Sequence, residues 1–125
     1  MTRQVACPIL RQGGRVLAFR HPLAGLQLVK GGIEPGETPE AAALRELQEE
    51  AGVEGRDPQL FGRCTTVQPG EVWHLVAVTA DQLPDRWDHR CSDDGGHDFA
   101  FFWHDPAGDT SGFDPRYVRV LKVLK

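Results

Sequence analysis

The sequence predicts an α/β fold in which helices cover the faces of a mixed β-sheet. Four to six strand-like segments are interspersed with two helical segments, and the two kinds of segment do not strictly alternate. The length of 125 residues suits one domain with a single core, so we expect one domain over residues 1–125. A hydrophobic content of 40% and a charged content of 26% are typical of a soluble globular protein.

The first strands are predicted around a glycine turn. Residues 3–11 are rich in apolar side chains, but Pro8 lacks an N–H group and therefore favours an edge or bulged position. Gln12-Gly13-Gly14 forms a turn that joins this segment to a strand over residues 15–20 in a hairpin. Residues 26–29 then form a short strand that leads into a glycine-rich loop.

A helix is predicted from Pro39 to Ala51. Thr38 is suited to the N-cap with Pro39 at the first helical position, and Gly52 is suited to the C-terminal cap. Leu44, Leu47 and Ala51 fall on one face of this helix, where they can pack against a core.

The opposite face of the helix carries three glutamates. At about 100° per residue, Glu49 lies roughly 60° to one side of Glu46 and Glu50 lies roughly 40° to the other. Carboxylates at this spacing repel one another, and Arg45 cannot neutralise all three. A hard divalent cation can, because Mg²⁺ and Mn²⁺ prefer oxygen ligands. The alternative is a solvated acidic helix face without a metal.

The loop before the helix is rich in glycine. Gly31, Gly32 and Gly36 allow positive φ angles and a close approach of the backbone to a ligand such as phosphate or a metal ion. Lys30 adds a positive charge next to this loop, which suits a polyphosphate chain. The alternatives are an ordinary tight turn and a solvated lysine.

Further strands and one more helix are predicted after residue 53. Their order is a strand over residues 58–68, a turn at Pro69-Gly70, a strand over 72–80, a long polar loop over 81–96, a strand over 97–103 and a helix that begins at Pro115 with Asp114 as N-cap. A loop as long as residues 81–96 is usually functional or disordered.

Composition excludes several classes of function. The net charge of −4 argues against general nucleic-acid binding, and no apolar run is long enough to cross a membrane. The N-terminus has no signal-peptide pattern. The three cysteines, Cys7, Cys64 and Cys91, are widely spaced without a CxxC pair, so we expect reduced thiols in a cytoplasmic protein and no zinc site.

Residues 31–53 match the pattern G-x5-E-x7-R-E-U-x-E-E-x-G-U, where U is a bulky apolar residue, at every position. The matching residues are Gly31, Glu37, Arg45, Glu46, Leu47, Glu49, Glu50, Gly52 and Val53. This pattern resembles the signature box of the Nudix hydrolases. It covers 23 of 125 residues, and the order of the flanking elements is compatible with that family along the chain.

The resemblance implies an α/β/α sandwich and cleavage of a pyrophosphate linkage in a nucleoside diphosphate attached to another group. It implies a Mg²⁺ or Mn²⁺ cofactor, with Glu49 and Glu50 as principal ligands and Glu46 as a ligand or as the base that activates water. Arg45 would orient the glutamates by ion pairing, with Glu37 as a partner, or that ion pair is purely structural. The carbonyl of Lys30 or Gly31 would complete the metal shell. Lys30, Gly31 and Gly32 would contact the substrate.

Residues outside the box are less constrained. A fourth acidic group assists in some family members, and the candidates here are Glu71, Asp93, Asp94 and Asp98, although a solvated loop residue is the favoured interpretation of each. His97 could act as a base or contact substrate, although a structural role is common at a strand end. Trp73, Phe101, Phe102 and Trp103 are expected mainly in the core, while an exposed one of them, or Phe19, could stack on a nucleobase.

Two alternatives to a hydrolase follow from the same residues. A nucleotide-binding or sensing module would keep the fold without turnover, and a scaffold domain would leave the glycine loop unexplained. All of the box glutamates are present, which favours the enzyme. Nucleoside triphosphates, dinucleoside polyphosphates, nucleotide sugars and capped RNA ends remain open as substrates, with a small nucleotide favoured. The resemblance also suggests a homodimer.

Overall fold

The computed structural model describes residues 2–92 and 96–125. Within them, eight strands and two helices follow one another along the chain. Their order is β1 (Arg3–Gln12), β2 (Arg15–His21), β3 (Gly25–Gln27), β4 (Gly31–Gly32), α1 (Pro39–Ala51), β5 (Arg56–Cys64), β6 (Glu71–Thr79), β7 (Trp87–Cys91), β8 (His97–His104) and α2 (Pro115–Leu124). Neither helix has the length and apolar character needed to cross a membrane.

The strands form a mixed sheet in the order β5-β6-β1-β2-β8-β7, with β3 beside β2 and β4 beside β1. β1 and β6 run parallel, whereas β1 pairs antiparallel with both β2 and β4. The predicted hairpin of the first two strands is confirmed. The short β4 matters for the site because it lies alongside β1 directly before α1, so the start of β1 lies next to the glycine-rich loop.

Each face of the sheet is covered by one helix. Ala6 of β1 belongs to the core that contains Leu47 of α1. Its neighbour Cys7 belongs to the other core, which contains Tyr117 and Leu121 of α2. Successive residues of a strand point to opposite faces, so a single strand can serve both cores. The predicted α/β/α arrangement is therefore confirmed.

The helix ends are fixed by the predicted caps. The Oγ1 atom of Thr38 accepts a hydrogen bond from the amide of Ala41 at 3.1 Å, and Gly52 closes α1 in the left-handed region with a φ of 69°. Asp114 caps α2 by accepting from the amide of Arg116 at 2.9 Å. Both helices begin at the predicted residue, and α1 also ends at the predicted one.

Two details of the first strands differ from the prediction. Pro8 does not place its strand at an edge, because β1 lies between β6 and β2 in the sheet. The proline is tolerated because residues 7–10 of β1 are paired with β6 alone in the described chain, so one side of the strand needs no N–H donor. The strand predicted over residues 26–29 occupies Gly25–Gln27 instead.

The second half of the chain contains a strand that was predicted as loop. Within residues 81–96, Trp87–Cys91 forms β7 and pairs antiparallel with β8. The strand predicted over residues 58–68 runs from Arg56 to Cys64. Asp93, Asp94 and Gly95 of the predicted loop lie outside the described residues.

Candidate active site

Two glutamates of α1 lie side by side, with Glu46 buried and Glu50 half-buried. Glu46 is only 8% exposed, and its carboxyl group is hydrogen-bonded to that of Glu50 one turn later. Burial, followed by this contact with Glu46, raises the pKa of Glu50 well above its usual value. The Oε2 atom of Glu50 is buried and has no hydrogen-bond partner in the described chain. An orphaned buried oxygen beside a second carboxylate is a site that a cation would satisfy.

The absence of a side chain at Gly31 leaves room for the Glu46 carboxyl group. A Cβ atom on Gly31 would overlap the carboxyl group of Glu46, so the missing side chain lets this group lie against the backbone. The close approach at Gly31 is to a side chain of the protein itself, and the predicted approach to a phosphate or metal ion stays a prediction. Positive φ is found at Gly36 but not at Gly31 or Gly32, because those two residues form β4 and pair with β1 in extended conformation.

Arg45 holds this part of the site together. Its Nε and Nη2 atoms donate to both oxygens of Glu37 at 2.8 and 2.9 Å, and its Nη1 donates to Glu46 at 2.8 Å. Nη2 also donates to the carbonyl of Gly32 at 3.0 Å. The hydrogen bonds from Arg45 lower the pKa of Glu37 to about 2. The predicted ion pair is confirmed, and it ties the loop to the helix.

Glu49 lies apart from the other two glutamates. Its side chain is 45% exposed and contacts Nη1 of Arg45 at 3.3 Å. It does not line the cavity onto which Glu46 and Glu50 open. No group of three or more His, Cys, Asp or Glu side chains in the described residues is arranged to hold a metal ion. The structure therefore brings together Glu46, Glu50 and Gly31, but not Glu49.

A cavity of about 570 Å³ lies in front of the glutamates. The predicted substrate contacts Lys30, Gly31 and Gly32 line it together with both buried carboxylates. Its other lining residues are Arg3, His21, Ala24, Gln27, Cys91, His97 and Phe99. The prediction did not include Arg3, because only the pairing of β1 with β4 brings the start of the chain to the glycine loop.

The acidic candidates outside the box that the structure describes, Glu71 and Asp98, do not reach the cavity. Glu71 accepts hydrogen bonds from Trp73 and Arg3, and Asp98 is an exposed residue that pairs with Arg90 at 3.4 Å. Neither of them lines the cavity. Asp93 and Asp94 lie outside the part of the chain that the structure describes.

The aromatic residues are mostly structural. Trp73 and Phe101 are buried in the core as predicted, while Phe102 and Trp103 are half-buried. Phe19 is fully buried and stacks on Phe99 with ring centroids 4.5 Å apart, so the suggestion that Phe19 stacks on a nucleobase is wrong. His97 does line the cavity, with its ring centroid 4.9 Å from that of His21.

Comparison with known proteins shows the family and the fold of this chain. The chain matches the NUDIX domain over residues 1–116. It belongs to the Nudix family. A solved structure from work on MutT of Aliivibrio salmonicida and Vibrio cholerae superposes with a TM-score of 0.70 at 22% identity, covering 99% of this chain and 97% of that one. A structure of an ADP compounds hydrolase also reaches a TM-score of 0.70, at 19% identity, over 99% of this chain and 71% of that one. The Nudix fold is thus shared over nearly the whole chain.

The curated relatives of this Nudix chain are longer proteins. It is 43% identical to mouse (Mus musculus) ADP-sugar pyrophosphatase over 76 residues, which cover 51% of this chain and 31% of the relative. It is 41% identical to an RNA pyrophosphohydrolase of Roseobacter denitrificans over 68 residues, which cover 54% of this chain and 39% of the relative. The matches thus span about a third of these relatives, and the two names differ in substrate.

Proposed function

We propose that this chain is a metal-dependent pyrophosphohydrolase that cleaves a nucleoside diphosphate linked to another group by attack of water on phosphorus. One observation carries the proposal: the paired carboxyl groups of Glu46 and Glu50, with a buried oxygen that has no partner in the described chain, open onto a cavity that Lys30 also lines. A solvated acidic face would expose these carboxylates instead of burying them in contact. The names of the Nudix relatives support the reaction type.

The residues present fit a divalent cation. We propose that Glu46, Glu50 and the carbonyl of Gly31 hold Mg²⁺ or Mn²⁺, since hard cations prefer oxygen ligands. Glu49 is proposed as a further ligand that exchanges its contact with Arg45 for the ion. When bound, such an ion neutralises charge on phosphate and lowers the pKa of its water.

The protein groups have separate tasks in this proposal. Arg45 fixes the orientation of the Glu46 carboxyl group, because the same guanidinium is anchored on both oxygens of Glu37. Glu46 is then placed to bind the ion or to accept the proton of the attacking water. Lys30 and the backbone of Gly31 and Gly32 bind the phosphates at the cavity wall.

The proposal also covers the substrate, the cellular location and the oligomeric state. We expect a small nucleotide as substrate. We also expect a cytoplasmic location, because Cys7 and Cys64 are thiols without a disulfide. A homodimer is expected from the family resemblance. Size-exclusion chromatography with light scattering checks the dimer, and a monomeric mass would remove it from the proposal.

The test is product release from a panel of nucleoside diphosphate derivatives with Mg²⁺, with Mn²⁺ and with EDTA. The panel contains nucleoside triphosphates, dinucleoside polyphosphates, nucleotide sugars and a 5′-triphosphate RNA, each also tested with the Glu50→Gln variant. Cleavage that needs the metal and disappears in the variant supports the proposal. Nucleotide binding without cleavage across the panel would overturn it in favour of a sensing module.

A further inference from the structure

Arg3 lies at the cavity although it is far from the signature residues in sequence. It is the first residue of β1, and the pairing of Val5 with Gly32 places this strand end beside the glycine loop. Arg3 lines the cavity, and Nη2 of its guanidinium is 3.6 Å from the position that a Cβ atom on Gly32 would occupy. About half of the Arg3 side chain is exposed, so it is accessible to a ligand.

Glu71 holds Arg3 in this position. The two residues are direct partners in the parallel pairing of β1 and β6, and Nη1 of Arg3 lies 3.0 Å from Oε2 of Glu71. The other oxygen of Glu71 accepts a hydrogen bond at 2.8 Å from the indole of Trp73, which is fully buried. The carboxylate is thus fixed by the core, and it orients the arginine in advance of binding.

The ionisation of Glu71 agrees with this role. Burial raises the pKa of Glu71, but hydrogen bonds from Trp73 and Arg3 outweigh it and hold the pKa below its usual value. The positive charge of Lys30 acts in the same direction and also favours the ionised form of Glu50. Lys30 therefore contributes to the field at both Glu50 and Glu71.

The charges that line the cavity distinguish between classes of substrate. Two carboxylates, Glu46 and Glu50, suit a metal ion that binds the phosphates at the scissile bond, whereas Arg3 and Lys30 are cations that can bind phosphate directly. A nucleotide sugar has only two phosphates and would place uncharged hydroxyl groups beside the arginine. A third phosphate would match it, because the planar guanidinium binds phosphate through parallel hydrogen bonds.

We propose that Arg3 binds the terminal phosphate of a nucleoside triphosphate and that Glu71 is the positioning residue for Arg3. This inference rests on the proposed function and narrows its substrate. In the reaction, the water oxygen bonds to a phosphorus of the α–β linkage and the bridging P–O bond breaks. The products are nucleoside monophosphate and pyrophosphate, and the proton of the water passes to Glu46 and then to solvent.

The experiment compares a nucleoside triphosphate with the diphosphate sugar of the same base, for each base in turn, and measures kcat and KM separately. Arg3→Gln should raise KM for the triphosphate about tenfold to hundredfold, while KM for the sugar stays within about twofold. Arg3→Lys should recover part of this loss, and Glu71→Gln should cause a smaller loss in the same direction. The exposed Arg15, which does not line the cavity, provides the control Arg15→Gln with the same change of charge.

A binding measurement separates this inference from the proposed function. Calorimetry with an α,β-imido nucleoside triphosphate should show weaker binding to the Arg3→Gln variant than to the wild type or to Arg15→Gln. If wild type cleaves nothing but this difference remains, the hydrolase proposal fails and the role of Arg3 stands. Equal effects of Arg3→Gln on triphosphate and sugar, or no effect on either, would overturn the role of Arg3 while leaving the hydrolase intact. Failure of the wild type to bind the analogue would also overturn it.

Discussion

Arg45 and Glu37 form a two-point ion pair between α1 and the loop that precedes it, with nitrogen–oxygen distances of 2.8 and 2.9 Å. Glu37 also accepts a hydrogen bond from the amide of Glu34 at 3.0 Å, so one carboxylate fixes both the loop and the arginine. Because the same arginine donates to Glu46, the position of a proposed metal ligand depends on this pair. Loop order and site geometry are therefore coupled.

The first prediction concerns acid stability. The folded-state pKa of Glu37 is about 2, below its ordinary value of 4.5, so the ion pair stabilises the fold above pH 4.5 and this stabilisation is lost as the pH falls towards 2. Glu37→Gln should lower the free energy of unfolding by about 1.5–3 kcal/mol at neutral pH. The free energy of unfolding of this variant should also decrease less than that of the wild type as the pH falls from 4.5 towards 2. Urea unfolding from pH 2 to pH 7 measures both effects.

A neighbouring glutamate provides the control for this variant. Glu34 is 66% exposed and lies 3.9 Å from Arg45. Glu34→Gln should change the free energy of unfolding by less than about 0.5 kcal/mol. Parallel pH curves for wild type and Glu37→Gln would contradict the assigned role of the pair.

The second prediction separates the stability of the metal-free protein from turnover. Burial and the contact with Glu46 make ionised Glu50 unfavourable in the folded state, so Glu50→Gln should raise Tm in EDTA by a few degrees. The same variant should lose orders of magnitude in turnover, because it lacks a charge that binds the metal. Mg²⁺ or Mn²⁺ should raise Tm of the wild type more than that of the variant. Differential scanning fluorimetry with and without metal gives the comparison.

Glu49→Gln is the matched variant for this test. Glu49 is exposed, so its replacement should leave Tm in EDTA unchanged while turnover falls if it joins the metal shell as proposed. A rise of Tm in both variants would indicate general relief of negative charge. Full activity in both would show that the acidic face is not the metal site.

The helices were predictable from sequence because their signals are local. The signals for α1 are Thr38, Pro39 and Gly52, which lie within or next to the helix. They act through hydrogen bonds and backbone angles of the same segment. β7 carries no such signal, since three of its five residues are charged or histidine. Its stability comes from pairing with β8 and from Trp87, which stacks on Phe101 with ring centroids 5.2 Å apart.

The same distinction explains what was predicted of the site. The motif supplies Glu46 and Glu50 because their spacing on one helix is a local property. Glu49 is paired with Arg45, whose guanidinium is anchored on Glu37 of the loop. The position of Arg3 at the cavity depends on the register of β1 against β4. A pattern of residue types contains no information on that register.

A third prediction tests the space that Gly31 leaves for Glu46. Gly31→Ala should reduce kcat/KM at least about tenfold, because the new methyl group displaces the Glu46 carboxyl group from its contacts. The backbone at this position tolerates alanine, so the free energy of unfolding should fall by only about 1–3 kcal/mol. Gly62→Ala on β5, where the nearest atom would lie 3.7 Å away, is the control. A comparable loss of activity in Gly62→Ala would show that displacement of the Glu46 carboxyl group is not the cause of the loss in Gly31→Ala.

The last prediction concerns the support that β7 gives to the end of α1. The last turn of α1 contains no basic residue, and the indole of Trp87 donates a hydrogen bond at 3.0 Å to the carbonyl of Ala51. Trp87→Phe keeps an aromatic ring against Phe101 but loses this bond, so the free energy of unfolding should fall by about 1 kcal/mol. Amide exchange should also become faster in the last turn of α1, next to Glu50.

The comparison for this variant is Trp103→Phe. Trp103 donates a similar bond at 3.0 Å to the carbonyl of Pro84, but it does so in an exposed position. Water can replace an exposed bond, so this variant should lose less stability and leave exchange in α1 unchanged. Equal destabilisation, with exchange in α1 unaffected by either change, would mean that β7 does not stabilise the helix end through Trp87. The helix end beside Glu50 would then have to be stabilised by the Gly52 cap and by core packing, since Ala51 is itself buried.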